Sequence, residues 1–528
     1  MKSLMKKVFA AAAAIATVFG LAATTVATAN AADNATLTVS TTDAKFAGKT
    51  VNAYKMFSAT VSGDGKAVSY TLTDEWKPFF KNSVGLTGVT DENVNDKAND
   101  YVSKLTENNL VAFATKASNW AQTKANNITA DATTTVSADA SNSKYTATFT
   151  GLGYGYYVVA VPGATLANAK SQYATLVSVH STKVDADIKG DLPTVDKKVQ
   201  VDGTGKDATD AKIGDTLTFT LTSTIPDMSA YDTYTFNFKD TLSKGLTFGQ
   251  VKSVKVENAT LTENIDYTVT TPTASNNNTL TVAMKDFKTK QQANAGKKIT
   301  VTYTATLNEN AVVGGAGNVN SATIQYSNNP STSGTGESEP SKVRVFTYGF
   351  TVDKYTGDRY ADDATRLAGA EFTLAPKNGT AISFVQVTAG SATANAVYRV
   401  AKAGESGTTT ITTPANGKVV FEGLKNGEYT LTETKAPAGY NKLSSAIGVK
   451  VNGQNNGTDT TNATVTITYN NDNGSDYNQT ASNGVIPVQN KSGAILPGTG
   501  GMGTIAFTVI GVLVIALGVA WTLKRKNA

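Results

Sequence analysis

The chain reads mostly in twos. Apolar and polar residues alternate in Thr36-Leu37-Thr38-Val39, in Tyr145-Thr146-Ala147-Thr148-Phe149, in Thr216-Leu217-Thr218-Phe219-Thr220-Leu221 and in Thr464-Val465-Thr466-Ile467-Thr468-Tyr469. Successive side chains of a strand point to opposite faces, so this period buries one face and wets the other. Turn clusters rich in Gly, Asn and Asp separate the runs. A helical pattern is confined to roughly 96–123. The pattern predicts an all-β protein built of tandem immunoglobulin-like, Greek-key β-sandwiches, with a minor helical insert in the first.

Two composition shifts divide the chain. Asp191-Leu192-Pro193 opens a new strand, and 331–341, rich in Ser, Gly, Glu and Pro, reads as a linker. The expected domains are 32–190, 191–340 and 341–493. A weak internal repeat supports the division. Gly423-Leu424-Lys425-Asn426-Gly427-Glu428-Tyr429 and Gly151-Leu152-Gly153-Tyr154-Gly155-Tyr156-Tyr157 share a Gly-Leu-x-x-Gly-x-Tyr frame, read as one hairpin-and-strand element. Further along this frame Glu433 corresponds to Val161.

The two ends follow neither period. Lys2, Lys6 and Lys7 precede an apolar stretch from Val8 to Ala23, and Ala29-Asn30-Ala31 offers small residues for cleavage. Residues 1–31 therefore read as a secretory signal. Near the other end, Leu496-Pro497-Gly498-Thr499-Gly500 is followed by the uncharged apolar run 503–523 and then by Lys524-Arg525-Lys526. Its 21 residues suffice to cross a hydrocarbon core of ~30 Å, and the basic end favours the cytoplasmic side. Pro497 fixes φ and biases its neighbour to an extended shape, which suits a peptide laid in an enzyme groove. Pentapeptide, span and basic tail in this order (496–528) resemble the cell-wall sorting signal of Gram-positive surface proteins. In that family a sortase cysteine attacks the Thr carbonyl, here Thr499, and passes it to an amine.

Charge and rare residues narrow the function. The formal net charge is +5, but three lysines lie in the leader and three basic residues in the tail, which leaves −1 between them. No basic body attracts nucleic acid. With no cysteine, disulfides are excluded. A single histidine, His180, removes the usual material of serine-hydrolase triads and histidine-rich metal sites. Neither an enzyme active site nor a cofactor is expected. Three weaker signals read as loops. Asp139-Ala140-Ser141-Asn142-Ser143 fits a von Willebrand A metal motif but lies between alternating polar strands. Gly48-Lys49-Thr50 lacks the leading glycine of a phosphate loop, position 43 being Asp. Asp472, Asn473 and Asp476 lack the closing Glu of an EF-hand.

Strand parity then singles out polar groups forced into cores. Phe350, Val352 and Lys354 share a face, as do Tyr429, Leu431 and Glu433, and Ile486, Val488 and Asn490. A buried charge costs several kcal/mol unless it pairs or neutralises. Burial pushes a lysine pKa down and a carboxyl pKa up. A neutral Lys354 beside a protonated Glu433 can condense with the Asn490 side chain and release ammonia, giving an intramolecular isopeptide bond. The middle unit repeats the logic: Val195, Lys197 and Val199 share a face, Tyr234, Phe236, Phe238 and Asp240 another, and Asn320, Ala322, Ile324 and Tyr326 a third. Lys198, Asn318 and Asn328 are close competitors there. The first strand of the first unit, near 37–41, has no lysine, and Val161 stands at the acid position, so no cross-link and the softest of the three units are expected.

Lys354, the segments Leu367-Ala368-Gly369-Ala370-Glu371-Phe372 and Tyr429-Thr430-Leu431-Thr432-Glu433-Thr434-Lys435-Ala436-Pro437, and Asn490 resemble a collagen-adhesin B-type module. Such modules end the shaft subunits of Gram-positive sortase-assembled pili. Asp240-Thr241-Leu242-Ser243-Lys244-Gly245-Leu246-Thr247-Phe248 is similar to the acid-bearing segment of pilin middle domains. The resemblance implies a major pilin. Glu433 would be the catalytic carboxyl of the third unit, and Lys197 and Asn320 would be joined with Asp240 assisting. It further implies an acceptor lysine near the end of the first domain, usually in Tyr-Pro-Lys-Asn. That pattern is absent; Lys189 holds the equivalent place and Lys183 is its rival. The partners implied are the chain itself, as a covalent homopolymer, a pilin-type class C sortase, a housekeeping sortase and peptidoglycan, and minor tip and base pilins. The location implied is a cell-wall-anchored surface fimbria. A wall-anchored monomeric adhesin and a secreted enzyme are the alternatives.

Overall fold

The computed structural model of the chain describes residues 34–526, apart from 64–66, 142, 166–173, 230, 329–333, 359–364, 455–462, 475 and 494–501. Alternation becomes strand wherever the period is two, and the strands assemble into six sheets that face each other in three pairs.

In the first pair, one sheet runs Ser137–Ala138, Tyr145–Leu152, Ala35–Thr41, Lys183–Asp187. The other runs Val68–Leu72, Thr50–Val61, Gly155–Ala160, Ala174–Val179, with Ala132–Thr135 also pairing Thr50–Val61. Gly155–Ala160 is buried on both faces, which its unbroken apolar sequence dictates. The helical insert explains it. Lys77–Asn82, Val94–Ser103 and Glu107–Gln122 lie on the outer face of that sheet, where Trp76, Phe79, Phe80 and Phe113 form a second core with Phe57 and Tyr156.

In the middle pair, Asp196–Val201 pairs with Thr216–Thr224, which pairs with Lys298–Leu307. The facing sheet holds Phe236–Leu242 beside Asn318–Ser327, and Asn318–Ser327 beside Ser341–Phe346. In the third pair, Tyr348–Tyr355 lies between Lys418–Leu424 and Val485–Gln489, the latter parallel. Opposite it, Glu371–Pro376, Gly427–Lys435, Ile447–Gln454 and Thr464–Asn470 follow one another across the sheet.

Two expectations need correction. The middle sheets extend past residue 340, because Ser341–Phe346 pairs with Asn318–Ala322 and only Thr347 separates it from Tyr348–Tyr355. The described part of the Ser/Gly/Pro-rich stretch, 334–341, belongs to the middle unit. Part of it, Thr335–Glu337, pairs with Gln325–Ser327. Its turn composition marks a break in a strand, not a break in a core.

The repeated Gly-Leu-x-x-Gly-x-Tyr frame is also not a hairpin. Tyr145–Leu152 and Gly155–Ala160 belong to opposite sheets, as do Lys418–Leu424 and Gly427–Lys435. The frame is an arch between sheets, closed in the same way both times. The Tyr157 hydroxyl donates to the Gly153 carbonyl at 2.7 Å, and the Tyr429 hydroxyl donates to the Lys425 carbonyl at 2.7 Å. Gly151 and Gly423 sit at φ 74° and 84° at the start of each arch, a conformation that glycine adopts without a Cβ penalty.

The units meet through specific contacts. Asn426 donates its backbone N–H to Asp210 at 2.7 Å, Ile213 donates to the Gly423 carbonyl at 2.9 Å, and Lys402 pairs with Glu309 at 2.6 Å. Lys49 donates to the Glu337 carbonyl at 2.8 Å. Beyond the sandwiches, Met502–Lys526 is a helix whose stretch Thr508–Arg525 is apolar and long enough to cross a membrane.

Tyr348, the first residue of its strand, is fully buried, and its ring lies 1.9 Å from where a Cβ on Gly453 would stand. Replacing Gly453→Ala therefore forces the ring out of place. It should destabilise the third unit by about 1–3 kcal/mol, read as a fall in that unit's melting temperature.

Candidate functional site

The strand parity that fills the cores with Val, Phe and Leu also carries lysine into two of them. In the middle unit Lys197 lies on the same face as Val199, and its side chain is 0% exposed. Asp240, across the sandwich on Phe236–Leu242, is equally buried, and Lys197 Nζ makes a short ion pair with Asp240 Oδ2. The Tyr303 hydroxyl completes the cluster. It donates to Asp240 Oδ2 at 2.6 Å and accepts from Lys197 Nζ at 2.8 Å and from Asn320 Nδ2 at 2.6 Å. Phe219 stacks on Tyr303 with ring centroids 5.3 Å apart, and Lys197 Nζ lies over both rings. Desolvation pushes the Lys197 amine down to about 8 against the opposing pull of Asp240. Burial, and secondarily the Asp240 charge, hold the Tyr303 phenol well above its ordinary range.

In the third unit Lys354 and Glu433 are likewise 0% exposed, with Nζ 3.5 Å from Oε1. Lys354 Nζ also donates to the Val488 carbonyl at 3.2 Å on the parallel neighbouring strand. Asn490 follows that strand, and its Nδ2 donates to Glu433 Oε2 at 3.0 Å and to the Asn441 carbonyl at 2.9 Å. The Leu443 N–H donates to the same Glu433 oxygen at 2.8 Å. Burial again pushes the lysine down to about 8.

Both clusters lack a donor. Asp240 Oδ1 and Asn320 Oδ1 in one, and Asn490 Oδ1 in the other, have no hydrogen-bond partner among the described residues, and Glu433 Oε1 faces only the Lys354 ammonium at 3.5 Å. Unsatisfied buried acceptors cost roughly 1–3 kcal/mol each. An amine shifted toward neutrality, a carboxyl to receive its proton and an amide carbonyl together make a transamidation chemically accessible.

The other candidates separate clearly. Lys198 points to the surface side of its strand and pairs with Asp207 at 2.5 Å and Asp196 at 3.3 Å. Asn318 is buried but occupied: its Oδ1 accepts from the Val312 N–H at 2.9 Å, and its Nδ2 donates to the Val312 and Val345 carbonyls. Asn328 lies past the opposite end of the strand from Asn320. Lys189 is half-buried, 3.5 Å from Asp187, while Lys183 stands exposed on the strand beside Ala35–Thr41. Val161 is buried in the first unit's core. Leu496, Pro497, Gly498, Thr499 and Gly500 lie outside the described residues, as do residues 1–31.

The three weak motifs resolve into turns and side-chain contacts. Asp139 accepts from the Ser143 N–H at 2.9 Å inside a strand-connecting loop. Gly48 is a turn glycine, and Asp472 accepts from the Gly474 N–H at 3.0 Å. Sequence reasoning missed Tyr303, Asn441 and Leu443. Tyr303 was findable, since it falls in parity with Val301 and Ala305 on a core face. The two loop backbone groups carry no sequence signal.

Comparison with known proteins places two of the chain's domains. Residues 213–330 match the model of the Gram-positive pilin backbone subunit 2, Cna-B-like domain. Residues 358–466 match a prealbumin-like fold domain. One domain of the chain is thus of the Gram-positive pilin backbone, Cna-B-like type. Among curated proteins, it is 26% identical over 267 residues to the trypsin-resistant surface T6 protein of Streptococcus pyogenes, covering 48% of this chain and 44% of that protein. Solved structures similar to it include the T6 backbone pilin of Streptococcus pyogenes (19% identity, 80% of this chain and 83% of the other, TM-score 0.44). The full-length major pilin SpaD of Corynebacterium diphtheriae is another (19% identity, 88% and 98%, TM-score 0.40).

The buried amines give the chain a pH signature when the amide is removed. Burial lowers the Lys354 amine from 10.5 to about 8 in the fold, and in Asn490→Ala, where it must stay an amine, the same depression is expected. Below about 8 the amine is charged in both states, and its burial penalty is fully present. Between the two values the unfolded chain binds a proton that the folded one lacks, so stability rises with pH. The urea midpoint of the third unit should climb through that window. In Lys354→Met/Asn490→Ala it should stay flat.

Proposed function

We propose that the chain is the major shaft subunit of a covalently polymerised surface pilus, held internally by two self-formed isopeptide bonds. The observation that carries this reading is the pair of buried Lys–acid–Asn clusters, each with a lysine at zero exposure beside a carboxyl. In the middle unit Lys197 would join Asn320 with Asp240 taking part, and in the third Lys354 would join Asn490 with Glu433 taking part. In each case the neutral amine attacks the amide carbon, the carboxyl holds the displaced proton, and ammonia leaves.

The ends of the chain supply the rest of the reading. The leader exports the protein, and the apolar helix Met502–Lys526 retains it at the membrane. A pilin-type sortase then cleaves between Thr499 and Gly500 and passes Thr499 to Lys189 of the next subunit, with Lys183 as the second candidate. A housekeeping sortase finally joins the fibre to peptidoglycan. The fibre carries minor pilins at its tip and base and supports adhesion. The chain itself turns over no external substrate.

Two measurements test this. The 32–493 fragment should weigh two ammonia equivalents less than its sequence; Glu433→Ala should restore one and Asp240→Ala the other. An unreduced deficit in either variant removes that acid from the reaction. In cells, a ladder of high-mass bands should appear and collapse to monomer in Lys189→Ala. A ladder that survives both Lys189→Ala and Lys183→Ala refutes the acceptor. Absence of a ladder from the natural protein makes it a monomeric wall-anchored adhesin.

A further inference from the structure

The two clusters solve one geometric problem differently. In the third unit the acid touches the amide nitrogen directly, Asn490 Nδ2 to Glu433 Oε2 at 3.0 Å. In the middle unit the Asn320 nitrogen instead donates to the Tyr303 hydroxyl, and that hydroxyl donates to Asp240. The same oxygen accepts from Lys197 Nζ. One phenol therefore touches the nucleophile, the acid and the leaving group, all of them fully buried.

We infer that Tyr303 is a catalytic residue of the middle unit's cross-linking reaction, relaying a proton from the Lys197 amine to the departing Asn320 nitrogen. This rests on the isopeptide reading above. Lys197 first gives its extra proton to Asp240. The neutral Nζ, now with two protons, attacks Asn320 Cγ. With Asp240 protonated, its hydrogen bond with the phenol reverses, and the Tyr303 O–H is free to turn to Nδ2. Tyr303 gives its proton to Nδ2 and takes one from Nζ. The Cγ–Nδ2 bond breaks, Nδ2 leaves as ammonia, and Nζ keeps one proton as the new amide N–H. Tyr303 ends as it began, and Asp240 holds the lysine's first proton. The phenol's high pKa keeps its proton in place until it is needed.

The third unit is an internal control, because among the described residues no tyrosine hydroxyl bonds to Lys354, Glu433 or Asn490. The full chain is made by cell-free synthesis in detergent, quenched at intervals, and digested. The peptides joining Lys197 to Asn320 and Lys354 to Asn490 are then quantified by mass. In Tyr303→Phe the first link should form roughly 100-fold more slowly, with the second unchanged. A rate equal to wild type overturns the relay. A second variant keeps ring, hydroxyl and packing: 3-fluorotyrosine at position 303, a stronger acid, should accelerate the first link alone. An unchanged rate there overturns the relay even if the phenylalanine variant fails to fold. If the natural chain never forms the first link while forming the second, the isopeptide reading of the middle unit has failed instead.

Discussion

A lysine ammonium taken out of water is the constraint on which two of the three sandwiches are organised. Such burial costs several kcal/mol per ion, and hydrophobic residues of similar volume usually serve stability as well or better. Yet Lys197 and Lys354 lie at zero exposure beside equally buried acids. Among the described residues each cluster also leaves its amide oxygen without a donor, and Asp240 Oδ1 has none either. An arrangement so poor as a resting ion pair makes sense as a set of reactants. On the isopeptide reading, its cost would be removed once the amine became an amide.

The two sites also differ in what a bond would tie. In the third unit Lys354 sits on a strand running parallel to Val485–Gln489, and Asn490 directly follows that strand. A bond there closes the first strand onto the last within one sheet, so tension along the chain would bypass the whole sandwich. In the middle unit Lys197 and Asn320 belong to facing sheets, and Ser341–Phe346 follows Asn320's strand. A bond there bolts sheet to sheet and leaves the last strand to hydrogen bonds and packing. The first unit has the same parallel first-to-last pairing as the third, Ala35–Thr41 with Lys183–Asp187, but with apolar Leu37 and Val39 on its core face. Three sandwiches of one class thus present three different load paths.

Much of this was legible from parity alone. The period of two groups Lys197 with Val195 and Val199 and puts Asp240, Glu433 and Asn490 in register with apolar residues, but Lys198 stayed a close competitor until its pairing with Asp207 and Asp196 set it on the surface side. Parity could not separate Asn318 from Asn320, which share a face; Val312 and Val345 do so by occupying Asn318. The repeat frame was legible as a motif but not as an arch, since sheet membership is a long-range property. The middle unit's true end at Phe346 was hidden for the same reason: Ser/Gly/Pro composition marks loops, and loops occur within domains as well as between them. Tyr303 shows the opposite failure. Its position was predictable, but a core tyrosine reads as packing until its hydroxyl is placed among three partners.

The difference between the two acids explains that tyrosine. Glutamate carries one more methylene than aspartate, and in the third unit the longer arm brings Glu433 Oε2 into contact with the Asn490 nitrogen, steadied by the Leu443 N–H. Asp240 forms no such direct contact with Asn320. The Tyr303 hydroxyl fills the interval, 2.6 Å from the amide nitrogen and 2.6 Å from the carboxylate. The phenol also carries the cost of its own burial only because all three of its hydrogen-bonding directions are used. On the isopeptide reading, a shorter acid with a tyrosine and a longer acid with a backbone brace would be two ways to place a proton beside the asparagine amide in a buried core. The residue that supplies the reach is fixed as tightly by that geometry as the lysine is.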